Sequence, residues 1–568
     1  MTFTFTVTPA DWGRIAPELI LVVMTLILML VDLVLPHEGE KRTKHSGPAN
    51  FAILPVVALL GLAGALAATI VLFVSGDQHR AFNEMVGSDW GTLFAYLIIL
   101  SASALGVLFS PPYLKRLNLV HQGEYYALLL FATVGMMLMA AATSFITVFL
   151  GLEMLSLALY ILCSFVARRK ASQESGMKYF LLSSFASAIL LYGVALTYGA
   201  TGSTSFIGVA NFVNTTLAHS AAGARPILLI IAMGLLIVGF AFKISAVPFQ
   251  AWTPDVYQGA PAPVTAFMSV GTKAAALIAF ARVFGFIFDP ARADWVPVVW
   301  AIAVLTIVGG NLMALVQSNV KRLLAYSSVA HAGYLLIGIV VGKTLGASAI
   351  LFYLLCYTFL NLGAFGVVSM LEHVDNSGSN ASDLRGLWYR RPLLAGLLAF
   401  FLLALAGFPP MAGFAAKYYL FYAALVGGHP ELLIIGVLAS VLGMYYYLRI
   451  IAGMFMEQAA APAVATASAG GSGSAPASSA RGSARTKASA RTVSGGLATA
   501  VAVKPVSGKL AKVNEPATVE IEESQATGLN AFAWVGLALA ALGTLAMGTV
   551  LPFWLVNLAQ MAAQTMLK

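Results

Sequence analysis

Charge is what this sequence has least of. Only 10% of its 568 residues are Asp, Glu, Lys or Arg, while 60% are hydrophobic; a soluble domain carries about 25% charged residues. No soluble fold of this size hides so much apolar surface. Cysteine is nearly absent as well. Cys163 and Cys356 each lie inside an apolar run, with no Cys-x-x-Cys spacing and no neighbouring His. That excludes a disulfide framework and the common iron–sulfur, haem and zinc motifs, and it reads as two buried thiols. Phosphate-binding loops are also missing. Gly342-Lys343-Thr344 looks like the end of one, but position 337 is Ile337 and no strand precedes it. Gly470-Gly471-Ser472-Gly473 is linker composition. The chain offers no visible site for NADH, flavin or ATP. Its first apolar run is long enough to be a span rather than a cleavable signal.

What the sequence does have is continuous apolar runs of about 20 residues, the length of a helix that crosses a hydrocarbon core. A membrane barrel would instead show short alternating segments. The fold class is therefore an all-α polytopic membrane protein. About fourteen spans are expected, near 16–36, 51–75, 90–110, 125–141, 144–167, 177–200, 226–249, 262–288, 295–316, 321–342, 345–372, 393–426, 432–456 and 529–557. The net charge of +9 sits mostly in loops, and it follows the positive-inside rule rather than a nucleic-acid footprint. Lys41, Arg42, Lys44, Lys115, Arg116, Arg168, Arg169, Lys170, Lys178, Lys321, Arg322, Arg385, Arg390 and Arg391 all fall on one side if there are fourteen spans. Arg80, Arg225, Arg292 and Lys343 fall on the other. This predicts basic loops in the cytoplasm and both termini outside. Residues 457–527 are rich in Ala, Ser, Gly, Thr and Val, cannot bury a core, and read as a disordered cytoplasmic linker.

Four charges sit where charge is costly. Glu153, Lys243, Lys273 and Lys417 lie within or beside apolar spans. Each costs about 2.5–3.5 kcal/mol on insertion scales, so together they would cost on the order of 10 kcal/mol if unpaired in lipid. A lysine near an interface snorkels to water, but Lys273 is about ten residues inside its span. These groups must face protein, water or one another. Desolvation disfavours a charged amine, and a nearby carboxylate restores it, so such a set suits proton transfer. Glu153 is the acid expected to pair with Lys243. His331 is the one histidine well within a span; it is read either as a packing residue or as a relay between lysines, with Ser327, Ser328 and Tyr334 beside it.

Two spans carry breaks. Pro248 follows Lys243, and Gly407-Phe408-Pro409-Pro410 precedes Lys417. Freed backbone groups are tolerated in a membrane only under protein or beside a wet cavity. Two interrupted helices at matching places in two halves point to an ion path in inverted-repeat transporters. Here the halves are spans four to eight and nine to thirteen, and an odd offset of five spans inverts the topology. The domains are then 1–124 (spans one to three), 125–288 (first five-helix repeat), 289–456 (second), the 457–527 linker and 528–568 (last span).

Five segments carry a resemblance. They are Gly151-Leu152-Glu153-Met154-Leu155-Ser156-Leu157, Lys178-Tyr179-Phe180-Leu181-Leu182-Ser183-Ser184, Phe249-Gln250-Ala251-Trp252-Thr253-Pro254-Asp255-Val256-Tyr257-Gln258-Gly259-Ala260-Pro261, Asn319-Val320-Lys321-Arg322-Leu323-Leu324-Ala325-Tyr326-Ser327-Ser328 and Gly407-Phe408-Pro409-Pro410. On these the chain resembles the antiporter-like membrane subunits of respiratory complex I, in particular the branch called subunit N in bacterial NADH:quinone oxidoreductase. Subunits L and M carry a Leu-Pro-Asp-Ala-His variant of the Trp252–Pro261 run. The resemblance implies a fourteen-helix bundle with two inverted five-helix repeats and two broken helices. It implies that Glu153 and Lys243 form the family's glutamate–lysine pair, that Lys273 is the central lysine, and that Lys417 is the exit-side lysine. It implies no cofactor on this chain, with NADH, FMN, iron–sulfur clusters and quinone on other subunits. The partners would be neighbouring membrane subunits of the complex, in a bacterial inner membrane. The long linker departs from the family pattern. The alternative is a subunit of a multisubunit cation/proton antiporter, which shares the fold, and the Trp252–Pro261 run argues against it. A non-transporting assembly protein is the second alternative.

Overall fold

The structure is a computed structural model and describes residues 7–35, 50–117, 119, 122–219, 226–372, 378–456 and 527–567, which belong to one compact unit. The expected linker lies outside the described residues, apart from its last residue. Twenty α-helices and one small hairpin occur in this order: α1 Pro9–Arg14, α2 Ala16–Val34, α3 Asn50–Ser75, β1 Arg80–Ala81, β2 Val86–Gly87, α4 Trp90–Arg116, α5 Gln122–Ala141, α6 Phe145–Cys163, α7 Lys170–Thr201, α8 Phe206–His219, α9 Ile227–Lys243, α10 Trp252–Gly259, α11 Ala262–Arg282, α12 Arg292–Leu315, α13 Val320–Val341, α14 Lys343–Leu371, α15 Leu387–Arg390, α16 Pro392–Ala406, α17 Ala412–Val426, α18 Pro430–Met456, α19 Thr527–Thr549 and α20 Pro552–Met566. β1 and β2 pair antiparallel, with Arg80 opposite Gly87.

Among the described residues, twelve helices are long and apolar enough to cross a membrane. The shorter α9, and α16 with α17, supply the two interrupted crossings, consistent with the expected fourteen. Both breaks have a local cause. Ser245 takes φ 65° and Gly407 takes φ 91°, and each break contains a cis X–Pro peptide, Val247–Pro248 or Pro409–Pro410. Proline cannot donate the backbone bond that would continue the helix.

Two backbone bridges recur at matching places in the two expected repeats. Ser144, the N-cap of α6, bridges antiparallel to Ser205, and Asn319, the N-cap of α13, bridges antiparallel to Asn380. The step from 144 to 319 equals the step from 205 to 380. The hydrogen bonds match as well: Phe145 N donates to Thr204 O at 3.0 Å, and Val320 N donates to Ser379 O at 2.7 Å.

Burial sorts the helices. The apolar windows of α11, α13 and α14 are almost wholly inside the bundle, while α2 and α3 turn most of theirs outward. A helix apolar all round but buried is a core element of a larger bundle. The three central helices can thus carry polar groups away from lipid. Cys163 and Cys356 are buried free thiols, as expected.

Two expectations on boundaries are corrected. The third span was expected to end at 110, but α4 continues through Pro111 and Pro112 to Arg116. The last run was expected to be one helix over 529–557. It stops at Thr549, and Pro552 starts a second helix, α20, which packs against α4 and α14. Proline at the first helical position suits a helix start.

Candidate proton path

Lys243 ends α9 and is 2% exposed. Its Nζ donates to Ser156 Oγ of α6 at 2.7 Å and to Tyr179 OH of α7 at 3.2 Å. It also stands 5.3 Å from the Tyr179 ring centroid, within cation–π range. Tyr179 stacks on Trp252 at 4.8 Å, and Trp252 Nε1 donates to Phe242 O at 3.2 Å. That contact ties the short helix α10 to the end of α9, so the break itself positions the lysine.

Glu153 sits on α6, one turn before Ser156. It is half-buried, and its Oε1 is enclosed without a hydrogen-bond partner. No ion pair joins it to Lys243 among the described residues. The hydroxyl of Ser156 takes the ammonium instead, and it also donates to Leu152 O.

Lys273, on α11, is 1% exposed and donates to Ser328 O at 2.7 Å and to Ser328 Oγ at 2.5 Å. Ser328 belongs to α13, and His331 follows one turn later on the same face. His331 Nδ1 lies 2.7 Å from Tyr353 OH of α14, and its ring centroid is 4.9 Å from that of Tyr357. Tyr334 packs edge-on to His331 at 5.8 Å. Lys417 Nζ then stands 5.4 Å from the centre of the Tyr334 ring. Lys417 lies on α17, just past the second break, and its Nζ donates to the freed carbonyls of Leu405 at 3.1 Å and Ala406 at 3.0 Å and to Ser440 Oγ at 2.8 Å. The break supplies acceptors that a continuous helix would have used internally.

Lys273, His331 and Lys417 thus lie along one row of hydroxyls and rings through α11, α13, α14 and α17. Lys243 forms a second site on α9. Among the described residues, all three ammonium groups meet neutral oxygens and none meets a carboxylate. Burying an ion without a counter-ion is costly, and dipoles offset only part of that cost. Such an amine can exist charged or neutral, which is what passing a proton requires.

Sequence reasoning singled out the lysines, Glu153 and His331, and named Ser327, Ser328 and Tyr334 as neighbours. It missed Ser156 as an acceptor, and Tyr179, Tyr353, Tyr357 and Ser440, because a hydroxyl in an apolar helix is ordinarily satisfied by a carbonyl of the preceding turn. It also missed buried charge elsewhere. Glu18 and Asp32 lie on the inner face of α2, and Tyr96 OH donates to Glu18. Lys321 was counted as a loop charge, yet its side chain is fully enclosed 3.4 Å from Glu372. Glu372 also receives Arg169 at 2.9 Å. The signal for Glu372 was present, since it closes a 29-residue apolar helix. No group of three or more His, Cys, Asp or Glu side chains able to hold a metal occurs among the described residues.

The sequence and fold are similar to those of known proteins. Residues 142–443 match the family model of the NADH:quinone oxidoreductase/Mrp antiporter membrane region. The chain is 45% identical over 443 residues to NADH-quinone oxidoreductase subunit N of Trichlorobacter lovleyi, covering 78% of this chain and 87% of that one. It is 41% identical over 456 residues to the subunit N of Chloroflexus aggregans, covering 80% and 90%. Among solved structures, it matches a chain of respiratory complex I from Thermus thermophilus with bound aureothin at TM-score 0.65 and 32% identity, covering 94% of this chain and 98% of that one. A chain of the Mrp complex from Dietzia sp. superposes at TM-score 0.73 but at 21% identity, covering 98% of both; at that distance the likeness is one of fold. Shape alone does not separate the two groups, and sequence identity does. The chain belongs to the subunit N family of the NADH-quinone oxidoreductases.

Proposed function

We infer that this chain is the proton-translocating membrane subunit N of an NADH:quinone oxidoreductase, and that Glu153, Lys243, Lys273, His331 and Lys417 carry the protons. The observation that bears most weight is the set of buried lysines held by neutral oxygens, with His331 and the Tyr334 ring lying between Lys273 and Lys417. Redox energy would arrive from other subunits, where NADH, FMN, iron–sulfur clusters and quinone belong. The partners would be neighbouring membrane subunits of the complex.

In this reading Lys243 and Glu153 form the entry site. A negative Glu153 favours the ammonium form of Lys243; a protonated or displaced Glu153 withdraws that support. The released proton passes to Lys273, then by Ser328 and His331 to Lys417 at the second break. His331 can accept and donate at its two ring nitrogens. The domain division at 124, 288, 456 and 527 belongs to the same proposal, as do a bacterial inner-membrane location with both termini outside and a cytoplasmic linker. The cation/proton antiporter reading is disfavoured by the identity to subunit N chains.

The deciding experiment is Lys243→Ala in native membranes. NADH-driven quinone reduction and proton uptake into inverted vesicles are measured, with assembly followed on a native gel. Both activities are expected to fall sharply in an assembled complex. Unchanged activities would make Lys243 structural and remove the entry site.

A further inference from the structure

Away from the lysine row, the β1–β2 hairpin, the start of α4 and the end of α11 enclose a cavity of about 240 Å3. That is several times the roughly 30 Å3 one water occupies in the liquid. Arg80, Ser88, Asp89 and Arg282 line it. Arg282 is 3% exposed. Its Nη2 donates to Asp89 at 2.8 and 2.7 Å. The same carboxylate caps α4 by accepting from Thr92 N at 2.9 Å and also accepts from Thr92 Oγ1 at 3.2 Å. Asp89 therefore has both oxygens engaged.

Three groups on this lining remain buried and without a hydrogen-bond partner among the described residues: Arg80 Nη1, Arg282 Nε and Ser88 Oγ. The two guanidinium nitrogens can only donate, and the hydroxyl can do so. A buried donor left unmatched loses its hydration with nothing in return. Two guanidinium groups face one carboxylate in the lining, so the excess charge is positive. Glu84 also acts on Arg80, but it is exposed at the hairpin tip and is not part of the lining. Gly87 keeps the approach open, since a Cβ there would stand 3.4 Å from Arg282 Nη1 and 3.0 Å from Asp89 Oδ2.

We propose that this cavity binds a phosphate-type oxyanion, either inorganic phosphate or the phosphate of a lipid headgroup, held between Arg80 and Arg282 with Ser88 donating a third bond. Guanidinium matches the geometry of phosphate oxygens, and such charge-assisted bonds are the strong ones. The site is separate from proton transfer, and it stands or falls independently of that function.

The test uses the whole complex in nanodiscs made of phosphatidylcholine alone. Binding of radiolabelled inorganic phosphate is measured at constant ionic strength, for the parent complex and for Arg80→Gln and Ser88→Ala. Arg282 is left intact because it also anchors Asp89. In parallel, the complex is taken from mixed phosphatidylglycerol–phosphatidylcholine nanodiscs, washed, and its retained phosphatidylglycerol counted. Saturable phosphate binding weakened about tenfold by Arg80→Gln, and less by Ser88→Ala, supports a free-anion site. Retained phosphatidylglycerol lost in the same variants, with free phosphate excluded while it is bound, supports a lipid site. If neither ligand distinguishes the variants from the parent, the cavity holds water only and the proposal is overturned. A Lys243→Ala complex, used as a control, should bind as the parent does.

Discussion

The lysines depend on partners that are individually ordinary. Lys243 has two acceptors, Ser156 and Tyr179, and a hydrogen bond to a charged group is worth about 1.5–3 kcal/mol. Ser156→Ala should therefore slow NADH-driven proton uptake by roughly tenfold in an assembled complex, and Ser156→Thr should restore most of it. Equal uptake by the alanine variant and the parent would show that Ser156 does not hold the working form of Lys243. Glu153 makes a different case, because no contact joins it to Lys243 among the described residues. Glu153→Gln removes the charge while keeping the shape, so turnover should drop with little change in melting temperature. Melting lowered as much as turnover would assign Glu153 to packing instead. The contrast explains what was readable at this scale. A charge in an apolar run is visible because it is costly. A serine or tyrosine there is not, since the helix can satisfy it alone.

At the scale of elements, the breaks are where sequence and structure agree best. Proline fixes its own φ and cannot continue the helix ladder, while glycine permits the positive φ taken at Gly407, and both interruptions were expected. The second is built very closely. A Cβ on Gly413 would stand 1.8 Å from Ala404 O, whereas one on Gly396, in the same crossing, would meet its nearest neighbour atom at 3.9 Å. Backbone cannot yield as a side-chain tip can. Gly413→Ala should therefore disrupt the α16–α17 junction that exposes the carbonyls for Lys417, with loss of assembled complex on a native gel. Gly396→Ala should assemble normally. Equal assembly of the two would mean the junction is looser than the distances imply. Where elements were misread, the reason was also local. Hydropathy over 529–557 gives no hint that the helix stops at Thr549, because α20 is apolar enough to continue the pattern. Pro552 was the available signal.

At the scale of the whole molecule, one buried cluster joins the α6–α7 loop to α13 and α14. Glu372, at the end of α14, accepts from Arg169 in the loop between α6 and α7, and from Lys321 at the start of α13. Removing one partner of a buried charge pair costs about 3–5 kcal/mol, because the other is left uncompensated. Glu372→Gln should lower the melting temperature of the complex clearly, and adding Lys321→Gln should recover part of the loss. Strictly additive losses would mean the two do not interact. Composition alone determined that the chain crosses a membrane as helices, because so few charges cannot keep it in water. Charges inside apolar runs and prolines in two spans determined which residues to suspect. Tertiary structure decided the rest: that Ser156 rather than Glu153 meets Lys243, that His331 faces Tyr353, and that Lys321 is enclosed with Glu372. The cost of a buried charge is set by the chain's own sequence. Its partner is set by helices that meet across the bundle, and hydropathy carries no record of which faces those helices turn toward one another.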